Sequence, residues 1–116
     1  MLETSRGDYV LSPAYDIVNT RLHVDDTDFA LDNGLFEDDY KSVDYKKSLH
    51  PSKIDFIEFG KRIGVMESRI EKLLTPFLEK QKMIEELTNR SFLHPSSKRA
   101  YLLLYNTKMN YLKGSK

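Results

Sequence analysis

The 116-residue chain is 40% hydrophobic and 31% charged, with 18 basic and 18 acidic residues, a balance typical of a folded domain rather than a disordered tail. No apolar run approaches the roughly 20 residues needed to cross a bilayer, and Met1-Leu2-Glu3-Thr4 lacks the basic flank and apolar stretch of a signal peptide. With no cysteine, disulfides and thiolate metal sites are excluded, and the whole fits a cytoplasmic protein with no membrane role.

The first element is a short strand over Asp8-Tyr9-Val10-Leu11-Ser12, stopped by Pro13. Arg6-Gly7-Asp8 is the turn leading into it, with Gly7 taking the positive φ and Leu2-Glu3-Thr4 as partner strand. The tripeptide also spells a cell-adhesion motif, which without a secretory signal reads as chance. An opening strand with so short a partner points to a cut through a larger sheet. Beyond Pro13, Asp16 stands at the carboxyl end of the strand, where loops carry ligand-binding side chains. Its ordinary alternative is to cap a short helix over Ile17 to Arg21.

A second hairpin is predicted where Phe29-Ala30-Leu31 and Leu35-Phe36 flank Asp32-Asn33-Gly34, since Asn-Gly favours a type I′ turn. Glu37 to Ser48 is polar and without period, and reads as a surface loop. From Ser52 the period becomes helical, with Ser52 as N-cap, Asp55 completing a capping box, and Gly64 ending the helix in the left-handed conformation. A second helix starts near Glu67 with Ile70, Leu73 and Leu74 on one face, and Pro76 bends it or begins another. Phe77, Leu78, Ile84 and Leu87 continue the pattern to about Asn89. The last helix starts near Ser96 or Ser97 and runs to Leu112, with Lys113 near its end and Gly114 as the stop. The expected fold is therefore α+β and mainly helical. It forms one domain, with a hairpin region over 1–48 and a helical part over 49–116.

The charges are segregated between those two parts. Residues 1–48 carry 11 acidic and 5 basic side chains, a net −6; residues 49–116 carry 7 and 13, a net +6. The basic residues alternate with glutamates, which points to attraction within one domain more than to a nucleic-acid face.

The run Leu11-Ser12-Pro13-Ala14-Tyr15-Asp16-Ile17-Val18-Asn19-Thr20 resembles the leucine, proline, tyrosine-aspartate segment of HipA-like serine/threonine kinases, several of which are toxins of toxin–antitoxin pairs. The resemblance extends to Asp28-Phe29-Ala30-Leu31, to 56–74, and to Ser91-Phe92-Leu93 with Lys98 and Tyr101, although only the Tyr15-Asp16 region is specific. It implies that Asp16 binds the magnesium bridging the phosphates of ATP, that Tyr15 packs so as to direct it, and that the chain is part of a kinase-like helical lobe. It further implies an upstream kinase region, a protein substrate, and contact with DNA only indirectly through an antitoxin partner.

Much that phosphoryl transfer needs is absent from the sequence. The five glycines, at 7, 34, 60, 64 and 114, form no phosphate loop, and no catalytic base followed by an asparagine metal ligand occurs. In the family that loop lies upstream of the stretch matched here, so the chain is expected to be inactive alone and to bind neither ATP nor Mg2+ tightly. His23, Asp25, Asp26 and Asp28 form an acidic cluster that lacks the spacing of a calcium loop, and its expected effect is a negative field near Asp16. His50 and His94 each precede a proline and read as loop residues.

Two other functions compete with the kinase reading. Gly60, Gly64, Val65 and Ile70 have the spacing of a helix-turn-helix, a DNA-binding regulator's motif. Against it, Glu67 and Glu71 on the second helix would meet phosphates with the wrong sign. A helical interaction module without catalysis is the other possibility.

Overall fold

The structure is a computed structural model and describes residues 1–15 and 18–114. It is mainly helical, with one small antiparallel sheet. Strands β1 (Leu2–Glu3) and β2 (Tyr9–Val10) pair with Leu2 opposite Val10 and Glu3 opposite Tyr9. Gly7 turns between them at φ 80°, as the sequence predicts, and its amide donates to the Thr4 carbonyl. The strand is shorter than predicted at both ends. A 3-10 turn over Thr20–Leu22 follows.

Among the described residues five helices come next: α1 (Val43–Ser48), α2 (Lys53–Arg62), α3 (Glu67–Leu78), α4 (Lys82–Arg90) and α5 (Pro95–Lys113). Helix α1 lies in the stretch expected to be a loop. The Ser42 hydroxyl accepts from the Tyr45 amide at 3.1 Å, with Asp44 in the first turn and Lys46 and Lys47 in the last. Those end signals oppose the helix dipole correctly. Six residues are too few for an apolar period to reveal them.

The second hairpin does not form. Gly34, at φ 70°, closes a turn by donating to the Leu31 carbonyl at 3.0 Å, but no strand ladder flanks it. The aromatic residues on either side pack against α2 instead of each other. Phe29 lies 6.5 Å from Phe56, and Phe36 meets Tyr40 and Phe59 edge-on at 4.9 and 6.4 Å. Side-chain packing on a helix has overridden a local turn preference.

Helix α2 begins with the predicted capping box, reciprocal between Ser52 and Asp55. It ends at Arg62, and Gly64 takes φ 82°. Helices α2 and α3 approach closely at Gly60, where an added Cβ would lie 2.6 Å from the Ile70 Cδ1. Ile70 is buried as predicted, but Leu73 is exposed and Leu74 only half-buried. Helix α3 continues two residues beyond Pro76. Near it, Thr75 Oγ1 donates to the Glu71 carbonyl, and Gln81 Nε2 donates to the Pro76 carbonyl at the helix end. Helix α5 packs on both α3 and α4.

The apolar core is small. Among the described residues only Phe36 and Ile70 are buried hydrophobics, whereas Ser42, Ser52, Asp55 and Thr88 are buried polar ones. The accessible surface is 9746 Å2, against roughly 6,600 Å2 for a compact monomer of 13.6 kDa. The radius of gyration, 16.9 Å, likewise exceeds the about 13 Å of a compact domain of this length.

Candidate functional site

Two polar centres lie on the side of the molecule where the acidic segment meets the helices. The first is built on Asp55, which is fully buried. Its Oδ1 accepts from the Ser42 amide at 2.8 Å. Its Oδ2 accepts from the Ser42 hydroxyl at 2.7 Å and from the Ser52 amide and hydroxyl at 2.9 and 3.1 Å. Burial pushes this carboxyl up, but the four hydrogen bonds outweigh it and hold it below the usual carboxylate range. One side chain therefore caps α2 and also anchors the residue that caps α1. Its role is architectural.

The second centre is built on Asp28 and lies in a cleft of about 500 Å3, lined also by Arg21, Tyr45, His50 and Lys108. Lys108 Nζ on α5 pairs with Asp28 Oδ1, and His50 Nδ1 lies 2.7 Å from Asp28 Oδ2. The His50 ring stacks on Tyr111, with centroids 4.0 Å apart and planes at 21°. Burial raises the Asp28 carboxyl, yet the bonds to Lys108 and His50 prevail and hold it low. Tyr45 is pushed up by burial and then by the negative charges of Asp28 and Asp55.

A histidine beside a carboxylate is one half of an acid–base device. The neighbouring hydroxyls are engaged elsewhere, Ser48 with the backbone of His50 and Ser52 with Asp55. The arrangement ties the segment at 28 to the loop at 50 and to α5.

The acidic cluster seen in the sequence is dispersed. Asp25 pairs with Arg21, whose guanidinium also donates to the Asp26 carbonyl at 2.8 Å, while Asp28 faces His50 and Lys108. The Asp26 carboxyl is held low by the Thr20 side chain, the Thr27 amide and Arg21, partly offset by burial. His23 is exposed. Among the described residues no three His, Asp or Glu side chains converge as a metal site.

Asp16, the metal ligand expected from the sequence, lies outside the described residues, as does Ile17. Tyr15, expected to pack, is 76% exposed. The structure thus assembles around Asp28 residues that the sequence reading had set aside. His50 reads from the sequence as a loop residue, and nothing in the sequence singles out Lys108. They stand 22 and 80 positions from Asp28, and no local signal joins them. His94 is also more than a loop residue, since it caps α5, its Nδ1 accepting from the Ser96 amide at 3.4 Å.

No family model, curated protein or solved structure matches the chain. Its function has to be argued from its own residues. No helix among the described residues is long and apolar enough to cross a membrane.

Proposed function

We propose that the chain forms part of the helical lobe of a HipA-like serine/threonine kinase and contributes Asp16 as a magnesium ligand for ATP-dependent phosphorylation of a protein. The observation that carries this reading is the run Leu11 to Thr20 placed directly after a two-stranded hairpin, so that Tyr15-Asp16 follows a strand end. Magnesium, when bound, would draw charge from the β- and γ-phosphates. The chain's own share is one carboxylate, that of Asp16. The phosphate loop, lysine and catalytic base come from the upstream kinase region in this reading. The large accessible surface supports it too, because a lobe segment has faces meant for the rest of its lobe.

The test is Asp16→Asn in the intact kinase. Turnover should fall by roughly a hundredfold or more, since metal-borne charge stabilisation is worth several kcal/mol, while the circular-dichroism spectrum stays unchanged. Wild-type turnover would remove Asp16 from the mechanism.

A second reading, a helix-turn-helix regulator, has one observation in its favour: the close approach of α2 and α3 at Gly60, with Gly64 in the turn. The charges weigh against it. Glu67 stands in the first turn of α3 and Glu71 is exposed one turn on, while Lys61 is engaged with Glu67 at 3.1 Å. The kinase reading accounts for more of the chain.

A further inference from the structure

Helices α3 and α4 each present apolar side chains that no other element among the described residues covers. Met66, Leu73 and Phe77 are all more than half exposed, and their spacings of seven and four place them along one stripe of α3. That stripe runs beside Ile70, which packs on Gly60 of α2. On α4, Met83 and Leu87 lie one turn apart and are also more than half exposed, while Ile84 is half-buried and Thr88 buried. Both helices pack on α5, so the two stripes belong to one three-helix unit. We propose that they form the contact of a symmetric dimer, the occupant being a second copy of this chain.

The available area is sufficient. The chain exposes roughly 3,000 Å2 more than a compact monomer of its mass. A stable interface of standard size buries about 800 Å2 on each partner. One dimer contact takes only part of the excess and leaves the rest for neighbouring parts of a lobe, so dimerisation neither needs nor opposes the kinase reading.

Charge favours a second copy over other occupants. Residues 67–90 carry five acidic and five basic side chains, and the whole chain carries 18 of each. A nucleic acid or an anionic membrane finds no net attraction on such a face. A second copy finds no net repulsion, and the alternation of sign lets acids of one copy stand near bases of the other around an apolar centre. The same patch then serves both partners, as a two-fold axis requires. The segregated −6 and +6 regions would instead associate head to tail, a contact that does not close and that salt weakens.

Sedimentation of the 116-residue chain tests the proposal. Interfaces of standard size hold at micromolar concentration or below, so at about 50 μM the particle mass should be twice the 13.6 kDa of the chain. It should remain so in about 1 M NaCl, where charges are screened within about 3 Å. Phe77→Glu and Leu87→Glu each alter an exposed side chain, so the circular-dichroism spectrum should be kept while the dimer Kd rises about 30-fold or more, the scale of an interface hot spot. Leu31→Glu, as exposed but outside the face, should leave the mass unchanged. In the unaltered chain, amide exchange over 67–90 should slow as concentration rises, with no change over 1–10. A monomer at about 50 μM would overturn the proposal, as would an open-ended series of larger species. So would a dimer that disperses in salt, one that survives both glutamate variants, or exchange over 67–90 that is independent of concentration.

Discussion

At the scale of single residues, the decisive group for stability is Asp55. Its four bonds join the ends of two helices, and removing it leaves Ser42 and Ser52 without their buried partner. Asp55→Ala should cost about 3 kcal/mol, read from urea unfolding, because a charged acceptor and a helix cap are lost together. A loss below about 1 kcal/mol would show that water replaces the carboxylate. The pH dependence follows from the same bonds. Asp55 and Asp28 are both held below the ordinary value of 3.8. A carboxyl depressed on folding contributes its full stability above its unfolded pKa and loses it as pH falls through the folded one. The thermal midpoint should therefore be level from neutrality to about pH 5 and fall below about pH 4. Asp55→Asn should show a shallower acid fall, and parallel profiles would assign the acid loss to other groups. Leu49 runs the other way. It ends α1 at φ 62° while 77% exposed, a left-handed residue with a Cβ penalty and little packing to offset it. Leu49→Gly should raise stability by about 1 kcal/mol in the same urea assay, and a loss would mean that its side chain packs more than its exposure indicates.

At the scale of elements, α2 and α3 form the best-defined pair, and Gly60 explains why. An alanine there would gain about 1 kcal/mol of helix propensity. Its Cβ, however, would stand 2.6 and 2.8 Å from Cδ1 and Cγ1 of the stiff, buried Ile70. Overpacking of that kind costs about 1–3 kcal/mol, so Gly60→Ala should be destabilising on balance. Ile70→Val in the same chain should recover part of the loss, and strictly additive losses would place the strain elsewhere. The same pair bears on DNA. With Glu67 in the first turn of α3 and Glu71 exposed beside it, duplex binding should be weak, independent of sequence and lost as salt approaches the physiological range. Selection from random duplexes should return no consensus. One recovered site that vanishes with Arg69→Ala would put the regulator reading first.

At the scale of the whole molecule, the surface dominates. The chain exposes roughly 3,000 Å2 more than a compact monomer of its mass, with Leu73, Phe77, Met83 and Leu87 all more than half exposed on α3 and α4. By the same scaling an unfolded chain of this mass exposes roughly 20,000 Å2, so unfolding uncovers roughly 10,000 Å2, about a quarter less than for a compact domain. The urea m-value should accordingly lie in the lower half of the about 1–3 kcal/mol/M range of small proteins. A value near 3 would require a far more compact state in solution. Purified chain should also turn over no ATP above an Asp16→Ala control, for want of a phosphate loop and base.

The sequence alone determined the elements whose causes are local. The Gly7 turn, the Ser52–Asp55 box, Gly64, and the helices about Ile70 and Leu103 are set by φ preferences, caps and a 3.6-residue period, all within a few positions, whereas the helix break expected at Pro76 falls instead at 79–81. Helix α1 was nearly legible, since Ser42, Asp44 and Lys46-Lys47 are end signals, but six residues carry no period. The tertiary structure decided whatever depends on partners distant along the chain. Asn33-Gly34 asks for a hairpin, yet the flanking aromatics gain more by burying against Phe56 and Phe59, and burial outweighs a turn preference. Asp28 reads as one of four acids until Lys108 and His50 are brought to it from 80 and 22 positions away. Only packing can choose among such pairings, because charge and spacing permit many and the solvation cost of each depends on where the chain buries it.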